Sequence, residues 1–215
     1  MNKRIVLAGF LALGLGLGAC SSTGMLPKTD FGQPHLVASN DTKEPMWVDS
    51  PGRYAKEHKD AKYFVGVDSR CTLYDVCRDV AVGGALKSAA QAIRDKVHSL
   101  LEVASTDDST LGTPDVQRAI ESGTLQTAFG AIHGVSPDRF YWKKYWVQTS
   151  PDSPIVYYRN VYVLVSISND DWKQSVYETL TKKAEKVNDP RARALLHKME
   201  KRWLKEKDSQ APTPK

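Results

Sequence analysis

The sequence lacks the short motifs that mark the common enzyme sites. Its 215 residues include only three cysteines and five histidines. There is no His-Glu-x-x-His zinc motif and no Gly-x-Ser-x-Gly turn around a nucleophilic serine. The pair Gly83-Gly84 has neither the spacing nor the following lysine of a phosphate-binding loop. We therefore expect a chain without enzymatic activity that uses no cofactor and no metal ion.

The polar residues that could carry chemistry are isolated along the chain. Asp107-Asp108 lie in a loop rich in serine and threonine, where adjacent carboxylates are usually solvated turn residues rather than a catalytic pair. The net charge of +5 is too small to indicate nucleic-acid binding. None of the histidines pairs locally with a cysteine or an aspartate, so we expect each on the surface or on a helix face. They are His35, His58, His98, His133 and His197.

No hydrophobic run reaches the roughly 20 residues that a membrane-spanning helix needs. The apolar stretch 5–17 follows two basic residues and precedes small residues and a cysteine, which predicts a signal peptide over residues 1–19. Leu17-Gly18-Ala19-Cys20 resembles the lipobox of bacterial lipoproteins, which implies cleavage before Cys20 and acyl chains on that cysteine. The alternative is an ordinary cleaved signal, or an uncleaved anchor, beside a chance cysteine.

The residue after Cys20 bears on the destination of such a lipoprotein. In diderm bacteria an aspartate there tends to retain lipoproteins in the inner membrane, and this chain has Ser21. The resemblance therefore implies an outer-membrane anchor facing the periplasm, held firmly by several acyl chains. Residues 20–44 are polar, contain prolines and lack a hydrophobic period, so we predict a flexible tether.

Cys71 and Cys77 lie beyond the predicted signal peptide, and an exported protein meets an oxidising compartment. Six positions apart in one helix, the two residues would face different sides and could not be bridged. A disulfide therefore requires that this segment begin as a loop. We predict that bond. The alternative, a zinc or redox site, lacks further cysteines or suitably spaced histidines.

Hydrophobic periodicity predicts the elements of one domain over residues 45–207. Two strong strand runs, 139–147 and 155–167, flank a turn cluster and predict an antiparallel hairpin. On the second run alternate residues should face the core: Val161, Val163, Val165 and Ile167. Further predicted elements are a strand over 62–68, a helix over 86–101, a weaker helix over 114–132 interrupted near Ser122-Gly123, and helices beginning near Asn169 and Pro190.

This order, β-α-α-β-β-α-α, predicts an α+β fold with helices packed on one face of a small antiparallel sheet. The final helix is strongly basic between Arg191 and Lys207. Its interleaved glutamates indicate a solvated face with local ion pairs, and a contact to acidic partners or anionic head groups is the alternative. Residues 208–215 contain two prolines and should form a disordered tail.

Four short motifs stand out along the predicted domain: Trp47 in a polar lead-in, Tyr63–Val67, the alanine-rich 85–93, and Val161–Val165 before a helix that carries a tryptophan. Together they resemble the LPP-twenty family of bacterial outer-membrane lipoproteins and its flagellar, FlgP-like relatives. The resemblance covers roughly residues 45–185, and it implies a non-enzymatic envelope protein with no catalytic residues. The chain departs from the family in its Cys71–Cys77 loop and its basic C-terminal helix.

The hairpin strands carry more aromatic side chains than one core-facing side can bury. Tyrosine, tryptophan and arginine are enriched in binding hot spots, so an exposed aromatic face predicts a contact with protein or glycan. The alternative is cross-strand pairing that only stabilises the hairpin. The candidate interface residues are Tyr158, Tyr162, Trp142 and Trp146.

The favoured hypothesis is a non-enzymatic, lipid-anchored envelope protein that acts by protein–protein assembly, in a structural or flagellum-associated role. Its expected partners are the membrane, through the acyl chains, and another copy of the chain or an envelope protein. A lipoprotein regulator of a peptidoglycan synthase is the alternative, because such activators also combine a lipobox, a tether and a compact α+β domain. An envelope hydrolase is the least supported class.

Overall fold

The computed structural model describes residues 30–209. The signal peptide, Cys20 and Ser21 lie outside these residues, as does the tail beyond residue 209. The strands are β1 (His35–Ser39), β2 (Ala61–Cys71), β3 (Val135–Val147) and β4 (Val156–Ser168). The helices are α1 (Met46–Asp49), α2 (Pro51–Glu57), α3 (Tyr74–Asp107), α4 (Pro114–Glu121), α5 (Thr124–Phe129), α6 (Asn169–Lys186) and α7 (Pro190–Ser209).

The predicted α+β class is confirmed, and the sheet is antiparallel with the strand order β1-β3-β4-β2. β3 and β4 form the predicted hairpin, and the four core positions predicted on β4 are fully buried. Side chains alternate between the two faces of a strand, and directly opposed residues share a face. We call the face with Val161, Val163 and Val165 the helix face, and the one with Tyr141 and Tyr162 the tyrosine face.

α3 lies very close to the helix face of the sheet. Its Ala81 and Ala85 pack against Val163 and Val165. A methyl group on Gly66 of β2 would lie 1.8 Å from the carbonyl oxygen of Ala81, so only glycine allows this approach. The helix begins well before the predicted start at residue 86, because the apolar stripe used for that prediction covers only its more buried part.

The other long helices pack on α3 and form the main hydrophobic core. The predicted break near Ser122-Gly123 separates α4 from α5, and Gly123 has a positive φ of 72°. α6 starts where predicted, with the Ser168 hydroxyl accepting a hydrogen bond from the Asp171 amide. The largest buried side chains of this core include Ile93, Leu101, Ile120, Leu180, Leu195 and Met199.

The sequence predicts helices on only one face of the sheet, but the structure has helices on both faces. Trp47 of α1 and Tyr54 of α2 are buried against Tyr141 and Leu164 on the tyrosine face. The two helices are short, at four and seven residues, and show too little periodicity to be recognised in the sequence. They cover the part of the tyrosine face that extends from Tyr63 and Val65 on β2 to Tyr141 on β3.

The predicted tether is partly wrong, because β1 lies inside residues 20–44. His35–Ser39 pairs with β3 from Trp146 to Lys143, and Asn40 continues the contact with hydrogen bonds to Trp142. These five residues form a strand because β3 has unpaired backbone N–H and C=O groups along this edge. Without β1 those groups would have to bind water. At the other end, α7 continues two residues beyond the predicted domain limit of 207.

Cys71 and Cys77 form a disulfide with a Cα–Cα distance of 5.9 Å. Cys71 ends β2 and Cys77 lies in the first turn of α3, so the bond joins the strand to the helix that packs on it. The segment does leave the strand as a loop, as the predicted bond requires, although the loop is only two residues long. Because the sulfurs are bonded to each other, neither is available as the thiolate that a zinc site needs.

Candidate interface on the sheet

The four candidate interface residues divide between the two faces of the hairpin. Tyr141 lies opposite Tyr162, and Tyr145 lies opposite Tyr158, so these four rings share the tyrosine face. Trp142 lies opposite the core residue Val161 and therefore belongs to the helix face. Trp146, four residues further along β3, lies on that same face. The four residues cannot form one contact surface.

The tyrosines are mostly internal, which contradicts the expectation of an exposed aromatic face there. Tyr158 is only 9% exposed and stacks on Tyr145 with 5.4 Å between ring centroids. Burial raises the pKa of Tyr145. Tyr162 is half-buried, and its ring centroid lies 5.9 Å from that of the buried Tyr141. It also packs against the cluster that contains Trp47 of α1 and Tyr54 of α2. For these residues cross-strand pairing is the better interpretation.

The helix face of the hairpin is uncovered toward its tip. β2 ends at Cys71 opposite Arg159, while β3 and β4 continue to Val147 and Val156. α3 packs over the middle of the sheet, at Gly66, Val163 and Val165. Among residues 30–209, no hydrophobic cluster joins a helix to the rings at this end. Six side chains occupy it and alternate between aromatic and basic character. We call this set the cation–aromatic ladder: Trp142, Lys144 and Trp146 on β3, Tyr157 and Arg159 on β4, and His35 on β1.

The members of the ladder contact one another in pairs. The Arg159 guanidinium lies over the Trp142 ring at 5.8 Å, and the Lys144 ammonium lies over the Tyr157 ring at 5.0 Å. His35 stacks on Trp146 with 4.2 Å between centroids. Arg159 also donates a hydrogen bond to the Thr72 carbonyl at 3.4 Å, which holds its side chain across the sheet. Tyr157 remains 52% exposed, and the other five side chains are half-buried.

The ladder carries positive charge that no carboxylate neutralises among the side chains that the structure describes. Lys144 and Arg159 are directly opposite each other, an arrangement in which like charges repel. Within residues 30–209 neither forms an ion pair with an acidic side chain. The neighbouring Lys143, on the tyrosine face, differs because its ammonium lies 2.6 Å from Glu44. The hydrogen bond to Glu44 raises the pKa of Lys143. The ladder therefore combines flat apolar rings with two unpaired cations.

Sequence reasoning found two of the six ladder residues as candidates and missed the others. The signal was present in β3, where Trp142, Lys144 and Trp146 alternate on one face. Tyr157 and Arg159 share that face only if the β4 register is known, and the register was not readable from the sequence. His35 was missed because β1 was assigned to the tether.

The other residues considered for chemistry take structural roles. Asp107 is the last residue of α3, and Asp108 opens the turn that follows, where its carboxylate accepts hydrogen bonds from the Thr110 hydroxyl and the Leu111 amide. Both carboxylates also lie beside the basic helix α7. Arg202 lies 2.8 Å from Asp107, and Lys198 lies 3.4 Å from Asp108. The basic helix thus pairs with another element as well as with its own glutamates. Three histidines lie beside glutamates: His133 at 2.7 Å from Glu178, His98 at 2.9 Å from Glu121 and His197 at 3.1 Å from Glu200.

In the part of the chain that the structure describes, no helix combines the length and the apolar character needed to cross a membrane. Comparison with protein-family models, with curated proteins and with solved structures gives no match. The resemblance to the LPP-twenty family therefore stays a prediction.

Proposed function

We propose that this chain is a non-enzymatic, lipid-anchored protein of the bacterial envelope that acts by binding another envelope protein. The observation that carries the proposal is the cation–aromatic ladder, with two unpaired cations among exposed and half-buried rings. Its membrane anchor would be Cys20 in the outer membrane, as the lipobox resemblance implies.

The composition of the ladder suits a protein partner with carboxylates on an otherwise apolar surface. Tryptophan, tyrosine and arginine dominate the binding energy of protein interfaces because they bury large areas with few rotatable bonds. The side chains of Lys144 and Arg159 are already oriented by Tyr157 and Trp142, so a partner would order them at little further entropic cost. A carboxylate that approached both cations would also relieve their mutual repulsion.

The ladder would stay near the membrane in the anchored protein. His35 belongs to the ladder and follows Cys20 by fifteen residues. Even a fully extended chain of that length spans at most about 50 Å. The reachable partners are therefore those of the membrane surface and the adjacent periplasm.

The test is crosslinking in intact cells followed by affinity purification of the full chain. The variant Lys144→Glu/Arg159→Glu reverses both ladder cations, and Lys56→Glu/Lys59→Glu makes the same change of charge at exposed positions on and after α2. We expect the ladder variant to lose a partner that the control variant retains. Equal partner recovery by the two variants would contradict the proposal. Recovery of a peptidoglycan synthase as the ladder-dependent partner would favour the regulator hypothesis over a structural role.

A further inference from the structure

β2 lies at one edge of the sheet and pairs on only one side. It is eleven residues long, and β4 is its neighbour. Residues 61–68 pair with β4 without interruption, and the irregularity follows only between Asp68 and Cys71, where Arg70 has a φ of 59°. No other strand within residues 30–209 pairs with β2. Its outward N–H and C=O groups are therefore available to another strand.

The opposite edge of the sheet is protected in ways that β2 is not. β1 has only five residues and a register shift between Leu36 and Ala38. The part of β3 beyond β1 contains Pro137 and a second irregularity, which both discourage strand addition. The two edges thus differ, and β2 is the long regular one.

Exposed apolar side chains flank the free edge of β2. Val67 on the tyrosine face is 46% exposed. At the start of α3, Leu73, Val76 and Val80 are 68%, 57% and 51% exposed and follow one flank of the helix. Arg78, on the other flank, lies over Phe140 of β3. The exposed flank therefore faces away from β3, toward the β2 side of the sheet.

The charged residues along β2 are placed so that they can pair with those of a second copy of the strand running in the opposite direction. If the strand is paired antiparallel with a copy of itself and Val65 lies opposite Val65, then Lys62 lies opposite Asp68. The same reversal brings Asp60 toward Arg70 and Tyr63 opposite Val67. Opposite charges and aromatic–β-branched pairs are favourable cross-strand neighbours.

Neighbouring registers lose this complementarity. Centring the pairing on Phe64 would bring Asp60 toward Asp68, and centring it on Gly66 would bring Lys62 toward Arg70. Both bring like charges together at the end of the paired strands, which is destabilising. Other registers pair residues from the helix face of one copy with residues from the tyrosine face of the other. Those registers would place the two α3 helices on different sides of the joined sheet.

We propose that two copies of this chain form a dimer through the free edges of β2, with a two-fold axis at Val65. The two sheets join into one of eight strands. Both α3 helices lie on the same side, and their exposed flanks with Val76 and Val80 come together. This surface is separate from the cation–aromatic ladder, and the dimer does not depend on the proposed function.

Charge reversal tests the register. In sedimentation velocity on the detergent-solubilised full chain, we expect a concentration-dependent dimer. Lys62→Asp or Asp68→Lys alone places like charges opposite each other twice, because the interface is two-fold, and should weaken the dimer roughly tenfold or more. The double variant Lys62→Asp/Asp68→Lys restores both pairs and should restore the dimer. Circular dichroism of each variant checks that it folds.

A monomeric wild-type chain at all concentrations would overturn the proposal, as would single and double variants of equal affinity. A loss of the dimer in Lys144→Glu/Arg159→Glu, with the β2 variants unaffected, would also overturn it and would assign self-association to the ladder instead.

Cysteine crosslinking in native membranes tests the axis without changing charge. Val65→Cys would face its own copy, and mild oxidation should give a disulfide-linked dimer. Val67→Cys is the matched control, because residue 67 would face Tyr63, about 14 Å from its counterpart at four residues of strand rise. A dimer with Val65→Cys alone supports the axis. Equal crosslinking of both variants, or of neither, contradicts it, and the wild-type chain controls for Cys20.

Discussion

Glu178 shows how a residue that sequence reasoning passed over becomes important in the folded chain. Its carboxylate lies 2.7 Å from His133 and 2.9 Å from Lys182, and its side chain is 25% exposed. The hydrogen bond from His133, followed by the one from Lys182, lowers the pKa of Glu178 from 4.5 to about 2. His133 lies just before β3 and Glu178 in α6, so the pair joins two elements.

This pair should make stability depend on pH. The folded pKa is lower than the ordinary value of 4.5, so Glu178 stabilises the fold above about pH 4.5. That contribution is lost progressively as the pH falls toward about 2. Because the pair is partly exposed to solvent, we expect Glu178→Gln to cost on the order of 1 kcal/mol at pH 7.

The measurement is chemical denaturation of both chains across this pH range. The difference between wild type and Glu178→Gln should shrink as the pH falls from 4.5 toward 2. A difference that is the same at pH 7 and near pH 2 would show that the ion pair contributes nothing.

At the scale of elements, the contact between β2 and α3 fixes the layer spacing of the domain. It combines the glycine at 66, the alanines at 81 and 85, and the disulfide that joins the end of the strand to the start of the helix. The disulfide adds a covalent limit on how far the two elements can separate in the unfolded chain. The same contact leaves the outer edge of β2 open.

Gly66→Ala should disrupt this contact severely. The new methyl group would lie 1.8 Å from the carbonyl oxygen of Ala81 and 2.6 Å from the amide nitrogen of Ala85, both backbone atoms that cannot rotate away. We expect a loss of about 3 kcal/mol or more in the free energy of unfolding, at the upper end for overpacking. Thermal unfolding of the purified chain measures it.

Gly52→Ala is the matched control, because Gly52 also lies in a regular element and its added methyl group would meet no atom within 4 Å. It should leave stability unchanged or raise it by about 0.4–1 kcal/mol, since alanine restricts the unfolded chain. Similar behaviour of the two variants would mean that α3 is free to shift away from the sheet.

At the scale of the whole molecule, the proposed function and the proposed dimer combine an anchor predicted from the sequence with two surfaces of the folded domain. The ladder and the free edge of β2 are separate, so a β2 dimer would present two ladders to its partners. Two ladders held by one dimer would raise the effective concentration of the second binding event. Whether this matters depends first on the anchor.

Cys20→Ser tests the anchor directly. It should abolish acylation and leave either the unprocessed precursor or a differently cleaved soluble form. Detergent partition together with mass spectrometry of the N-terminus distinguishes these products, and an unchanged membrane-bound product would contradict the lipoprotein proposal. Ser21→Asp should move the protein toward the inner membrane, and an unchanged density on a sucrose gradient would remove the sorting argument.

Elements with strong local patterns were predictable from the sequence. The alternating valines of β4 have a period of two that only a half-buried strand satisfies, and Gly123 adopts the positive φ that separates α4 from α5 and that glycine tolerates best. The starts of α6 and α7 follow from capping chemistry that involves only neighbouring residues. These features depend on interactions within a few residues, so the sequence determined them by itself.

Other features depend on which distant segments meet, and only the tertiary structure decided them. His35–Ser39 is a strand because β3 lies beside it, and nothing within those five residues requires it. The separation of Trp142 from Tyr158 follows from a hairpin register set by both strands together. Asp107 meets Arg202 because α3 and α7 pack side by side. The ladder and the free edge of β2 belong to this second group, since cross-strand contacts and the strand order of a sheet are properties of the assembled chain.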